Sequence, residues 1–227
     1  MSQFAQFLAL TFTALFPLIN PVGSAIIFLG IIGPLPAPAV HSLARRIAFA
    51  TTAFLLVIDV AGATILKLFG VSLPVVQLAG GLVVAAMGWS LLNQQDAKSS
   101  SNSDDVAAAV SDPARFERTI FYPLTFPITA GPGSLVVPLT LSANSFKGTL
   151  PEILFAQLGL ILGILLLCAS VWLCYAYAPA ITARISPGTA HGIVRVIAFV
   201  VICIGVQIAW NGFISMNAAH PLFKPSF

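Results

Sequence analysis

Hydrophobic positions in this chain run in long blocks instead of alternating with polar ones. Six blocks can each cross a hydrocarbon core of about 30 Å: residues 4–32, 47–66, 71–92, 120–141, 153–183 and 193–214. Each predicts a membrane-spanning helix. The first and fourth blocks are broken in the middle by proline and glycine. The first break reads Phe16-Pro17-Leu18-Ile19-Asn20-Pro21-Val22-Gly23-Ser24, the second Phe126-Pro127-Ile128-Thr129-Ala130-Gly131-Pro132-Gly133-Ser134. A shift of 110 residues superposes Phe16 on Phe126, Pro17 on Pro127, Gly23 on Gly133, Ser24 on Ser134 and Leu29 on Leu139 without a gap. Beyond the breaks the repeat fades.

One long polar stretch, residues 95–117, separates spans 1–3 from spans 4–6. Its serines and aspartates cannot bury a core, so it reads as a flexible cytoplasmic linker. The chain then divides into a first three-span repeat (1–94), the linker (95–117), a second three-span repeat (118–215) and a C-terminal tail (216–227). An odd number of spans in each half makes the repeat inverted in the membrane. The predicted fold is therefore an all-α membrane protein. It has six transmembrane helices as two inverted three-helix repeats, with helices 1 and 4 broken near the midplane.

Composition agrees with a membrane location. Charged residues are 7% and hydrophobic residues 58%, whereas a soluble domain carries about a quarter charged residues. The net charge of +3 comes from a few cations at span ends and does not suggest nucleic acid. The N-terminus lacks the basic region and cleavage pattern of a signal peptide, so the first span is expected to be retained. Loops 1–2, 3–4 and 5–6 hold Arg45, Arg46, Lys98, Arg115, Arg118, Arg184 and Arg195, while the other side holds Lys67, Lys147 and Lys224. By the positive-inside rule both termini face away from the cytoplasm. Cys168, Cys174 and Cys203 all fall in apolar spans and read as buried small hydrophobes.

The breaks carry the candidate chemistry. Irregular backbone at membrane depth is tolerated only where protein buries it or it lines a cavity, and matched breaks in two halves point to a transporter's binding site. Asn20 is a favoured N-cap and Pro21 a favoured first helical residue, so a half-helix should start there with free N–H donors. Gly131-Pro132-Gly133 predicts the same in span 4. Helix N-termini suit an anionic group, and the preceding half-helices end in carbonyls that suit an ammonium. A small zwitterion satisfies both. Asn20, Pro21, Val22, Gly23, Ser24, Thr129, Ala130, Gly131, Pro132, Gly133 and Ser134 are the expected substrate-binding residues. A pair of proline kinks that only shape packing is the plainer alternative.

Asp59 is the one acid deep in a span, eight positions before Lys67. Intramembrane acids are costly, so it is a candidate for coupling to H⁺ or Na⁺, or else a buried acid bonded to a neighbouring helix. Gln207 and Asn211 lie on one helix face and either bridge helices or line a cavity. Gly80, Gly81 and Gly88 recur at helical spacing and predict close helix packing. His41, His191 and His220 fall in loops or tail and are expected to be solvated. No histidine lies in a span to activate Ser24 or Ser134, so a serine hydrolase is disfavoured. Neither an enzyme nor a cofactor or metal is expected. With no Walker-type loop, an ion gradient or simple facilitation would drive transport.

These residues resemble the MarC family of integral membrane proteins, also classed as six-span neutral amino acid transporters. The resemblance rests on Leu18-Ile19-Asn20-Pro21-Val22-Gly23, Phe69-Gly70-Val71-Ser72-Leu73-Pro74, Leu78-Ala79-Gly80-Gly81 and Ala130-Gly131-Pro132-Gly133-Ser134. In the last span it adds Arg195, Gly205-Val206-Gln207 and Asn211-Gly212. It implies six spans, a bacterial or archaeal plasma (inner) membrane, and transport of small neutral amino acids such as glycine and alanine. Asp59 is not part of that pattern. Asn20-Pro21-Val22 is also similar to the Asn-Pro-Ala half-helix starts of water and glycerol channels, but the second break lacks the asparagine. A passive channel for small neutral solutes and a non-transporting membrane scaffold or regulatory protein are the rival readings.

Overall fold

The computed structural model describes residues 3–33, 35–93, 120–146, 149–184 and 187–219. In chain order its helices are α1 (Gln3–Ile19), α2 (Pro21–Ile32), α3 (Ala37–Leu68), α4 (Leu73–Leu92), α5 (Ile120–Thr129), α6 (Pro132–Ser145), α7 (Leu150–Ala176), α8 (Ala178–Arg184) and α9 (Pro187–Ala219). Proline at the first or second position opens α2, α3, α4, α6 and α7, where its missing N–H costs nothing. Gly70, at φ 66°, ends α3: its N–H bonds to Lys67 O (3.1 Å), and that of Val71 to Leu66 O (2.9 Å). At the start of α7, Glu152 Oε2 accepts from the Thr149 backbone (2.8 Å) and hydroxyl (2.9 Å).

Buried residues of α1, α2, α3, α5 and α7 form the core, with Leu15, Phe28, Ile47, Leu55, Leu160 and Tyr175 among those with no exposed surface. Between helices in lipid there is little hydrophobic driving force, so close van der Waals packing through small residues takes its place. Glycines mark these contacts. A Cβ on Gly163 of α7 would lie 2.7 Å from Thr11 Cβ of α1. Helices α4 and α9 approach backbone to backbone. A Cβ on Gly205 would sit 2.7 Å from Gly81 O, one on Gly88 2.9 Å from Ile202 N, and one on Gly212 2.6 Å from Leu78 N. Gly80 differs from the expected stripe, because a neighbour one residue along a helix points about 100° away. It faces Val136 of α6 instead.

Four helical segments are long and apolar enough to cross a membrane: Gln3–Ile32, which joins α1 and α2, Leu73–Leu92, Leu150–Ala176, and Val194–Ala218 within α9. The pair Ile120–Thr129 and Gly133–Ser145, bent by 75°, makes a fifth if counted as one span. The second expected span lies inside α3, which begins ten residues earlier than the apolar block. Arg45 and Arg46 therefore sit in its first three turns, not in a loop, and His41 is an exposed helical residue whose ring meets Tyr177 edge-on at 5.6 Å. Arg184 ends α8, and Arg195 and His191 fall within α9. Residues 216–219, expected in the tail, continue α9. Cys168 is buried but Cys203 is exposed, since it lies on an outward face of α9. The linker 95–117 with Lys98 and Arg115, together with Arg118, Lys147, His220 and Lys224, lies outside the described residues.

Candidate functional site

The first break is a single residue wide. Asn20 takes left-handed backbone (φ 46°, ψ 68°), a region asparagine tolerates better than most residues. Its Oδ1 accepts from Gly23 N–H at 3.0 Å, and its carbonyl from Ser24 N–H at 2.8 Å. A Cβ at position 23 would meet the Asn20 side chain, with Cγ at 2.8 Å, so glycine there is what lets the cap close. The Ser24 hydroxyl donates back to Ile19 O at 2.6 Å. The donor end expected at this half-helix is thus largely closed by Asn20 itself.

The second break is longer. Pro123 and Pro127 offer no N–H, and α5 becomes a widened coil with extended Tyr122 (φ −124°, ψ 123°) and Phe126 (φ −126°, ψ 125°). Its hydrogen bonds skip five residues: Ala130 N–H to Thr125 O (2.8 Å), Thr125 hydroxyl to Ile120 O (2.8 Å) and Thr129 hydroxyl to Leu124 O (2.7 Å). Ser24 bonds with the same spacing in the first break. Hydroxyls thus satisfy carbonyls that the broken ladders release, as buried polar backbone requires. At the α6 start, Gly131 O accepts from both Ser134 N–H (3.0 Å) and its hydroxyl (2.7 Å).

The two breaks meet at Tyr175 of α7, a residue the sequence reading did not single out. Its phenol lies 2.8 Å from Thr129 Oγ1, with the Ser24 hydroxyl beside it. Thr129 spends its one proton on Leu124 O, so the phenol donates and Thr129 accepts. Tyr175 is fully buried and its ring stacks on Phe28, centroids 4.6 Å apart and planes 16° apart. Two hydroxyls from different halves and one phenol form a polar island in the apolar core. A tyrosine inside an apolar block is itself a signal, since a buried phenol requires a partner. Leu29, Gly33, Leu35, Val40, Pro179 and Thr182 line a cleft of about 400 Å³.

Pro21, Gly23, Ser24, Thr129, Ala130, Gly131 and Ser134 are buried, and Asn20 and Val22 partly so. Gly131 faces Met87 of α4, where a Cβ would lie 2.8 Å from Cε, and Gly133 receives Val84. Pro132 opens α6. Gln207 and Asn211 stand apart on an exposed face of α9, Gln207 Nε2 donating to Asn211 Oδ1 at 2.9 Å. Another polar link between neighbouring spans is Gln77 Nε2 to Thr140 Oγ1, 3.3 Å, between α4 and α6. Asp59 of α3 is buried where Ser142 of α6 bonds to its backbone.

Apolar helices, two of the chain's blocks broken at matched positions and joined at a buried polar island, define a multi-pass integral membrane protein. The chain belongs to the MarC family: the family described as MarC family integral membrane protein matches residues 5–216. It is 28% identical over 222 residues to the UPF0056 inner membrane protein MarC of Salmonella typhimurium, a match spanning 93% of this chain and 96% of that one. The Citrobacter koseri protein of the same name is 27% identical over the same shares. That of Escherichia coli O1:K1 / APEC is 26% identical over 210 residues, 92% of this chain and 95% of its own. No solved structure matches.

Proposed function

We propose that this protein is a secondary carrier of small neutral amino acids in the inner membrane. Its substrate, a glycine- or alanine-like zwitterion, would be held where the two helix breaks meet. The observation that carries this reading is the convergence of Ser24 and Thr129, one from each break, on Tyr175. Ala25, Ala130 and Gly131 keep the surroundings small and suit a small ligand. Packing supports two inverted halves of three spans, with α3 as the remaining crossing. Exchanging α1, α2, α3 and α4 for α5, α6, α7 and α9 turns the α1–α7 contact into α5–α3, α2–α7 into α6–α3, and α1–α6 into α5–α2, all of which occur. The cleft lined by Leu29, Gly33, Leu35, Pro179 and Thr182 lies at the loop 1–2 and loop 5–6 end, the cytoplasmic side by charge, and would be an access path.

Counterflow of labelled glycine and alanine in proteoliposomes tests the reading. The expected result is saturable exchange, competed by small neutral amino acids and selective for one enantiomer of alanine. Non-saturable flux with fast osmotic swelling would instead indicate a channel, and no flux of any kind a scaffold.

Orientation is tested separately. In a background without Cys168, Cys174 and Cys203, an impermeant thiol reagent applied to intact cells is expected to label Ser2→Cys and spare Ser101→Cys. The reverse pattern would invert the topology.

A further inference from the structure

We propose that Asp59 is a proton-binding site that links the position of α6, and with it the second break, to pH. Asp59 is only 1% exposed, and among the described residues neither of its carboxyl oxygens has a hydrogen-bond partner. It belongs to a buried stripe of α3 with Thr51 and Leu55. Helix α6 covers the Asp59 end of this stripe: Leu139 packs onto Gly62, and the Ser142 hydroxyl donates to the Asp59 backbone carbonyl at 2.7 Å.

Among the described residues no charge stands opposite the carboxyl. Helix α6 brings only hydroxyls and amides. On α5 the titratable group is Tyr122, largely exposed. On α7 they are Glu152 at the Thr149 cap, Cys168 beside Thr52, Cys174, and Tyr175 bound to Thr129. On α3 itself, Lys67 lies eight residues on, about 12 Å along the axis, and His41, Arg45 and Arg46 lie farther, near the other end. An isolated carboxylate so placed neutralises in preference to remaining charged. Sodium would need a shell of several oxygens, as hard cations do. A proton needs only the carboxyl.

Ionisation transfers that proton to water, leaving the O–H electron pair on the carboxylate. Water arrives when α6 leaves α3 at Leu139 and Ser142, the residues that lie over Asp59 and Gly62. Helix α6 begins at the second break, with Gly133 and Ser134 in its first turn, so this opening displaces the break. Proton release at Asp59 and movement of the site are then one event.

The transport arm of the test rests on the carrier reading; the spectroscopic arm does not. In lipid films at neutral pH, infrared spectra of the wild-type protein are expected to show the carbonyl stretch of a protonated acid, absent in Asp59→Asn. In proteoliposomes, Asp59→Asn is expected to keep alanine counterflow and lose accumulation driven by a pH gradient. Asp59→Leu, which also removes titration and suits apolar surroundings, serves if the asparagine variant does not fold. An ionised Asp59 at neutral pH overturns the proposal. So does undiminished proton-driven accumulation in either variant, or accumulation driven by sodium alone. Absence of counterflow in the wild-type protein would count against the carrier reading, while the infrared band still decides the proton site.

Discussion

Gly81→Val is expected to prevent α4 and α9 from pairing and so to remove most of the folded protein. A Cβ at this position lies 2.6 Å from Gly205 O and 2.8 Å from Ala209 Cα and also meets Ala209 N. All of these are backbone atoms, and none can rotate away. Overpacking ordinarily costs about 1–3 kcal/mol and sometimes more, and this site belongs at the upper end or beyond it. Detergent-solubilised variant should elute as aggregate, or unfold roughly 5 °C or more below wild type. Gly30→Ala is the control: its Cβ would meet nothing within 4 Å. Gly80→Ala should fall between, because the atoms it meets belong to the Val136 side chain. Equal stability of Gly81→Val and Gly30→Ala would show that the two helices do not approach as described.

At the first break, Asn20→Ala is expected to weaken substrate binding far more than Asn20→Gly. Alanine removes the Oδ1 acceptor of Gly23 N–H, worth about 1 kcal/mol. It must also hold left-handed backbone at a cost of roughly 1–2 kcal/mol. Glycine loses the acceptor but adopts φ 46° without strain, and as an N-cap is poorer only by a few tenths of a kcal/mol. The alanine variant should raise the half-saturation concentration in counterflow by about tenfold, equivalent to 1.4 kcal/mol, while still inserting normally. Gly133→Val should do the same from the other break, because its side chain collides with Val84, itself almost fully buried. Unchanged apparent affinity in both Asn20→Ala and Gly133→Val would make the breaks structural kinks and move the site elsewhere.

How much of this was legible beforehand follows from the range of each interaction. The breaks were, because proline and glycine act on their own backbone within four residues, and Asn20 caps α2 as its type and position implied. The start of α3 was not, since Arg45 and Arg46 resemble a loop in any reading based on apolarity, while α3 buries Val40, Leu43 and Ala44 beside them. Gly80 could have been separated from Gly81 by helical geometry alone. Tyr175 could not have been tied to the breaks, because its partner Thr129 lies 46 residues back and its neighbour Ser24 lies in the other half. Gln207 and Asn211 share a face as their spacing required, but sequence could not say that they would bond to each other and remain exposed.

The two breaks are not in the same state. The first runs on as one 30-residue span, whereas the second folds its two parts to 75°. In a carrier built from two inverted halves, the side on which the site opens is set by which half adopts which shape. Exchanging the shapes turns the molecule over without altering its parts. On the carrier reading, the opposite-facing form is the one in which Asn20 becomes the elbow and residues 120–145 straighten, with Tyr175, bonded to Thr129, as the pivot between them.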